Sequence, residues 1–141
     1  MGVGSRLGSQ EGVRMLNDHD ASTMIPVKDL TKARRFYEDV LGFTPMIDSP
    51  EGITYKSGSG VFNIYPTQFT GAQHTLMGWY VPNIESAVDE LVGKGVTFEQ
   101  YDFEGVKTDA KGIASLGETE KAAWFKDTEG NILSVWWTSR L

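Results

Sequence analysis

Residues 24–43 read MIPVKDLTKARRFYEDVLGF. Their opening, with Ser22 and Thr23 ahead of it, alternates as a strand does: Thr23, Ile25 and Val27 fall on one face, Ser22, Met24 and Pro26 on the other. The rhythm then changes. Leu30, Ala33, Phe36, Tyr37, Val40 and Leu41 recur at the spacing of an amphipathic helix, and Gly42 stops it. Short strands are predicted at residues 44–48, 53–56 and 61–65, separated by the turn-forming runs SPEG and SGSG. The unit is βαβββ.

The second half repeats it. HTLMGWYV (His74 to Val81) reads as a strand and NIESAVDELVGKG as a helix, with Ile84, Ala87, Val88, Leu91 and Val92 on one side and Gly95 at its end. One constant offset carries Val27 onto Val81, Leu30 onto Ile84, Ala33 onto Ala87 and Tyr37 onto Leu91. VTFEQYD (Val96 to Asp102) is the next expected strand, Phe103 to Gly117 a long glycine-containing loop, and KAAWFKD and NILSVWW the last two strands. Two copies of one unit usually pair around a pseudo-twofold and share a core. The expected fold is therefore α+β: two paired βαβββ modules, residues 21–70 and 72–141, forming one domain with a cup-shaped, curved mixed sheet and helices outside. Residues 1–20, rich in Gly, Ser and charge without periodicity, are expected to be a flexible tail, with Met15 a candidate start and His19 solvated.

Composition narrows the function. The 141 residues include no cysteine, which removes disulfides, thiolate metal sites and thiol nucleophiles and favours a cytoplasmic protein. A net charge of −6 argues against a nucleic-acid partner, because phosphate binding needs clustered Lys and Arg. No apolar run reaches the length of a membrane span.

MIPVKDLTKARRFYEDVLGF, its echo WYVPNIESAVDELVGKGV and the segment AAWFKDTEGNILSV together resemble the vicinal oxygen chelate superfamily, which includes glyoxalase I, extradiol dioxygenases and bleomycin-resistance proteins. The resemblance covers Ser22 to about Trp137. It implies a homodimer, and in metal-using members one ligand from each of four strands, typically His or Gln on the first strand of a module and Glu or His on the last. Carried over by position, those sites fall on Ser22, Leu76, Ser134 and Tyr65, none a good divalent-metal ligand. No metal cofactor is expected.

Strand parity supplies candidate cup-facing residues: Ser22, Met24, Val61, Asn63, Tyr65, His74, Leu76, Gly78, Tyr80, Trp124, Ile132, Ser134 and Trp136. Ile25, Val27, Met77, Trp79, Val81, Phe125, Leu133 and Val135 fall on the opposite face and should pack beneath the helices; Trp137 points the same way, towards helices or a dimer partner. Aromatic walls with a few polar handles suit a small-molecule pocket, and Gly78, lacking a side chain, is read as leaving room for a ligand or for a neighbouring backbone. Tyr101, Phe103 and Ile113 of the long loop are candidate lid residues, and Lys107 or Lys111 candidate anion contacts. Glu99, Glu104, Glu118 and Glu120 read as solvated charges. The predicted ligand-binding set is Met24, Asn63, Tyr65, His74, Leu76, Tyr80, Tyr101, Trp124, Ser134 and Trp136. The expected function is metal-free binding of an aromatic or amphipathic small molecule. The alternative is a lyase, isomerase or dioxygenase-like enzyme using His74, the one catalytic candidate, with a tyrosine or a displaced metal site.

Overall fold

The computed structural model describes residue 17 and residues 20–139; most of the expected tail, including Met15 and His19, lies outside the described residues. Strand β1 (Thr23–Val27) leads to Asp29, whose side chain caps helix α1 (Leu30–Arg35) by accepting a hydrogen bond from Lys32 N at 3.0 Å. The expected helix does not run on unchanged. Phe36–Val40 widens into a π-turn, with Leu41 N bonded to Phe36 O, before Gly42 reverses the chain. Strands β2 (Pro45–Ser49), β3 (Gly52–Ser57) and β4 (Gly60–Pro66) complete the first unit.

The second unit begins with β5 (Thr75–Tyr80) and helix α2 (Ile84–Gly93), capped by Asn83, which accepts from Ser86 N. It continues through a small hairpin, β6 (Asp102–Phe103) and β7 (Val106–Lys107), to β8 (Ile113–Ser115), β9 (Glu120–Lys126) and β10 (Ile132–Thr138). The two four-stranded sheets have matching orders, β1-β4-β3-β2 and β5-β10-β9-β8. In each, the first strand of the unit lies parallel to the last and the other pairings are antiparallel. The internal repeat is thus realised strand for strand, and the fold is mixed α+β. Among the described residues, no helix is long and apolar enough to cross a membrane.

One apolar cluster draws on both units. Ile25, Val27, Ile64, Phe62 and Tyr55 of the first sheet join Phe125, Leu133 and Val135 of the second, with Ala33 and Tyr37 from the first helical segment and Ile84 and Val88 from α2. All eight residues assigned to the helix-covered face belong to this cluster or pack against it, as does Trp137. Aromatic contacts cross the boundary: Trp79 stacks on Phe43 and on Phe125, and its indole nitrogen donates to Ser57 Oγ at 3.1 Å.

The turn into β10 is a polar fastening between the units. Asp127, 6% exposed, accepts from Glu129 N and Asn131 N at one oxygen and from Tyr37 OH and Asn131 Nδ2 at the other, all at 2.8–2.9 Å. Asn131, fully buried, also donates to Pro26 O in β1. Burial and then the adjacent Asp127 charge push the Tyr37 phenol well above its ordinary range, so it stays a donor. Tyr37, Asp127 and Asn131 are all buried, so losing one of these bonds would leave a polar group without water to replace it.

The segment after α2 corrects the sequence reading. VTFEQYD is not a regular strand: it touches the sheet through a single bridge, Phe98 to Phe125, and a hydrogen bond from Glu99 N to Trp124 O. The third sheet position belongs instead to β8, which pairs with the other half of the same β9 edge. Between these contacts the chain makes an excursion through β6 and β7, pinched at its base where Thr108 Oγ1 accepts from Tyr101 N. Residues 103–117 are accordingly not one irregular loop. Ile113, expected in a lid, is 4% exposed and part of the core; Lys111 pairs with Glu85 and Asp89 on α2, so it is not an anion contact.

Gly112 makes the return possible. Its φ is +88°, and a β-carbon there would lie 2.9 Å from Phe98 Cβ and 3.2 Å from Glu99 O. Gly112→Ala is expected to cost about 2–4 kcal/mol from positive φ plus the clash. A urea titration checks it, read as a lower midpoint at unchanged slope; an unchanged midpoint would contradict this account.

Candidate functional site

A cleft of about 550 Å³ lies at the end of β9 and the start of β10, beside the inter-unit segment. One wall is that segment, Gly71 to Thr75. The other is aromatic: Trp124 contacts Tyr101 with ring centroids 5.5 Å apart, and Tyr101 contacts Phe103 at 5.8 Å. Trp124 is placed by alternation along β9, and Tyr101 by the pinch at the base of the β6–β7 hairpin. Ile132, Val106 and Gly130 add apolar and backbone surface, while Glu99 and Lys126 supply charge. Burial, and to a lesser degree the Glu99 charge, raises the Tyr101 phenol, which favours its donor form. His74 is exposed, with Nδ1 3.3 Å from the Thr75 carbonyl; an Nδ1–H tautomer donates there and leaves Nε2 an acceptor.

His74, Tyr101 and Trp124 of the predicted set line this cleft; the other seven residues do not. Tyr80 and Trp136 form an edge-to-face pair at 5.3 Å. Asn63 accepts from Thr54 Oγ1 at 2.6 Å and directs Nδ2 towards Ser22 Oγ, Thr23 O and Met24 Sδ, so it is engaged within the first sheet. Tyr65 and Leu76 are partly buried, and Ser134 is 6% exposed. Of the two uses read into Gly78, the structure shows the close neighbour: a β-carbon there would lie 2.6 Å from Ser134 Oγ, 3.2 Å from Trp136 Cδ1 and 3.3 Å from the Ser134 carbonyl oxygen. Gly78 therefore serves packing against its parallel neighbour.

The two charged cleft residues escaped the sequence reading as site residues. Lys126 stands two positions after Trp124 on β9, so parity alone puts it on the same face. Glu99 had been read as a surface charge, yet its side chain is only 27% exposed and lies 3.7 Å from Lys126 Nζ. Its signal was the step of two to Tyr101 along an extended segment.

A family model described as Glyoxalase/Bleomycin resistance protein/Dioxygenase superfamily matches residues 21–135. The chain belongs to this superfamily. Among solved glyoxalase-superfamily structures it is similar to a glyoxalase family protein from Enterococcus faecalis, with 20% identity, a TM-score of 0.63 and coverage of 86% of this chain and 98% of that one. It is also similar to TnmS3, an antibiotic binding protein from Streptomyces sp. CB03234, with 16% identity, a TM-score of 0.61 and coverage of 89% and 100%. Lactoylglutathione lyase from Agrobacterium tumefaciens gives 19%, 0.57, 84% and 92%. No curated protein sequence matches the chain significantly.

Within a glyoxalase-superfamily chain the four carried-over metal positions can be tested on their donors. Leu76 offers none, Ser22 and Ser134 offer neutral hydroxyls, and Tyr65 a phenol; Ser134 Oγ is moreover packed against Gly78. These residues do not fit a divalent ion. Among the described residues, no three or more His, Asp or Glu side chains gather where they would hold one.

Proposed function

We propose that this glyoxalase-superfamily protein is a metal-free binder that holds an aromatic or amphipathic small molecule in the cleft, sequestering a drug or metabolite in the cytoplasm. The observation that carries this reading is the Trp124–Tyr101–Phe103 wall facing a 550 Å³ space, a volume and lining suited to a drug-sized molecule. The likeness of fold to an antibiotic binding protein supports it further. A homodimer belongs to the same proposal, supported by Met24, Met46 and Ile47, each more than half exposed on the first sheet.

A second reading, lyase, isomerase or dioxygenase-like chemistry, is favoured by one observation: His74 and Tyr101 line the same cleft, an acceptor and a donor within one space. Titration with a panel of flat aromatic compounds, followed by tryptophan fluorescence with and without a chelator, separates metal-free from metal-dependent binding, and recovery of the compounds unchanged or converted separates binding from chemistry. Saturable quenching that is indifferent to chelation is the expected result. One equivalent of a tightly held transition metal, with binding lost on its removal, would overturn the metal-free reading.

A further inference from the structure

The cleft's lining carries one charge of each sign, which narrows what fits it. Glu99 and Lys126 stand 3.7 Å apart, beyond good hydrogen-bond distance, and their side chains are 27% and 48% exposed. Neither makes another side-chain hydrogen bond or ion pair among the described residues, so each retains capacity for a second partner. Glu99 is held by its backbone bond to Trp124 O, and Lys126 lies opposite Ile132 across the strand pair. Both heads therefore occupy the same end of the aromatic wall. A loose surface pair of this kind contributes little by itself, and a ligand can separate it at small cost.

A ligand bearing a lone cation would face Lys126 as well as Glu99, and a lone anion would face Glu99 as well as Lys126. One carrying both charges on neighbouring atoms satisfies the two heads together and leaves neither unpaired in a partly dehydrated cleft. Resting on the binding function proposed above, we infer that the ligand class is a planar aromatic molecule with a zwitterionic ammonium–carboxylate end. The ring lies against Trp124 and Tyr101, the ammonium meets Glu99 and the carboxylate meets Lys126.

Three matched nitroaromatic probes test this, because each quenches tryptophan and differs only in charge: 4-nitrophenylalanine, 4-nitrophenethylamine and 3-(4-nitrophenyl)propionate. The intact protein is expected to bind the zwitterion at least about tenfold more tightly than either singly charged probe, because each of those lacks one of the two charge-assisted hydrogen bonds. Glu99→Gln should reverse the order in favour of the propionate, and Lys126→Met in favour of the amine, both at an unchanged melting temperature. Equal affinities for the three, or a singly charged probe binding tightest to the intact protein, would overturn the zwitterion assignment while leaving the cleft as a binding site. No quenching by any probe, nor by uncharged nitrotoluene, would overturn the cleft reading and this inference with it.

Discussion

Asp127→Ala is expected to lower the free energy of unfolding by about 3–5 kcal/mol, the range seen when one partner of a buried charged network is removed. The substitution strips the acceptor from Tyr37 OH, Asn131 Nδ2 and two backbone N–H groups at once, in a site closed to water. Against a total stability of roughly 5–15 kcal/mol this is a large fraction. Tyr37→Phe, which removes a single bond of the same cluster, should cost only about 1–2 kcal/mol. Chemical denaturation of both variants, with the double variant to measure coupling, checks the network. A loss below about 1 kcal/mol for Asp127→Ala would mean that the turn is not what fastens the units together.

The largest functional effect is expected at Trp124. Replacing it by alanine removes the largest ring of the cleft wall and should weaken aromatic ligands by about 30- to 100-fold, or roughly 2–3 kcal/mol, from lost burial and ring contact. Trp136→Ala is the control: it pairs with Tyr80 away from the cleft and should leave affinity within about threefold of the parent. Calorimetric titration of the two variants with one flat aromatic ligand distinguishes the assignments. If Trp136→Ala proved the more damaging, the ligand would sit at the Tyr80 side of the sheet instead.

The residues that were legible in sequence are those governed by a repeating physical rule. Alternation placed Leu133 and Val135 behind the sheet and Trp124 in front of it, because a strand buried on one face has no freedom in register. The offset between the two halves foretold matching sheets. Val96 to Ser115 was illegible for a different reason: β8 is three residues long, too short to show a period, and its place on the β9 edge depends on Gly112 clearing Phe98, a contact remote from any local pattern. The cleft was half legible. Its aromatic wall follows from parity, but Gly71 to Thr75, a connection bent at Gln73 and His74 with no rhythm, joins Tyr101 in the lining only in the folded chain.

The aromatic column behind the sheet has an optical consequence. Trp79 lies between Phe43 of one unit and Phe125 of the other, with interplanar angles of 23° and 11°, while Trp124 stands on the opposite side in the cleft. Two of the four tryptophans thus answer different questions. Asymmetric packing around Trp79 makes the near-ultraviolet dichroism a gauge of whether the halves are docked, and emission from Trp124 a gauge of occupancy. A variant that has lost its ligand can in this way be told from one that has come apart, in the same cuvette and without a label.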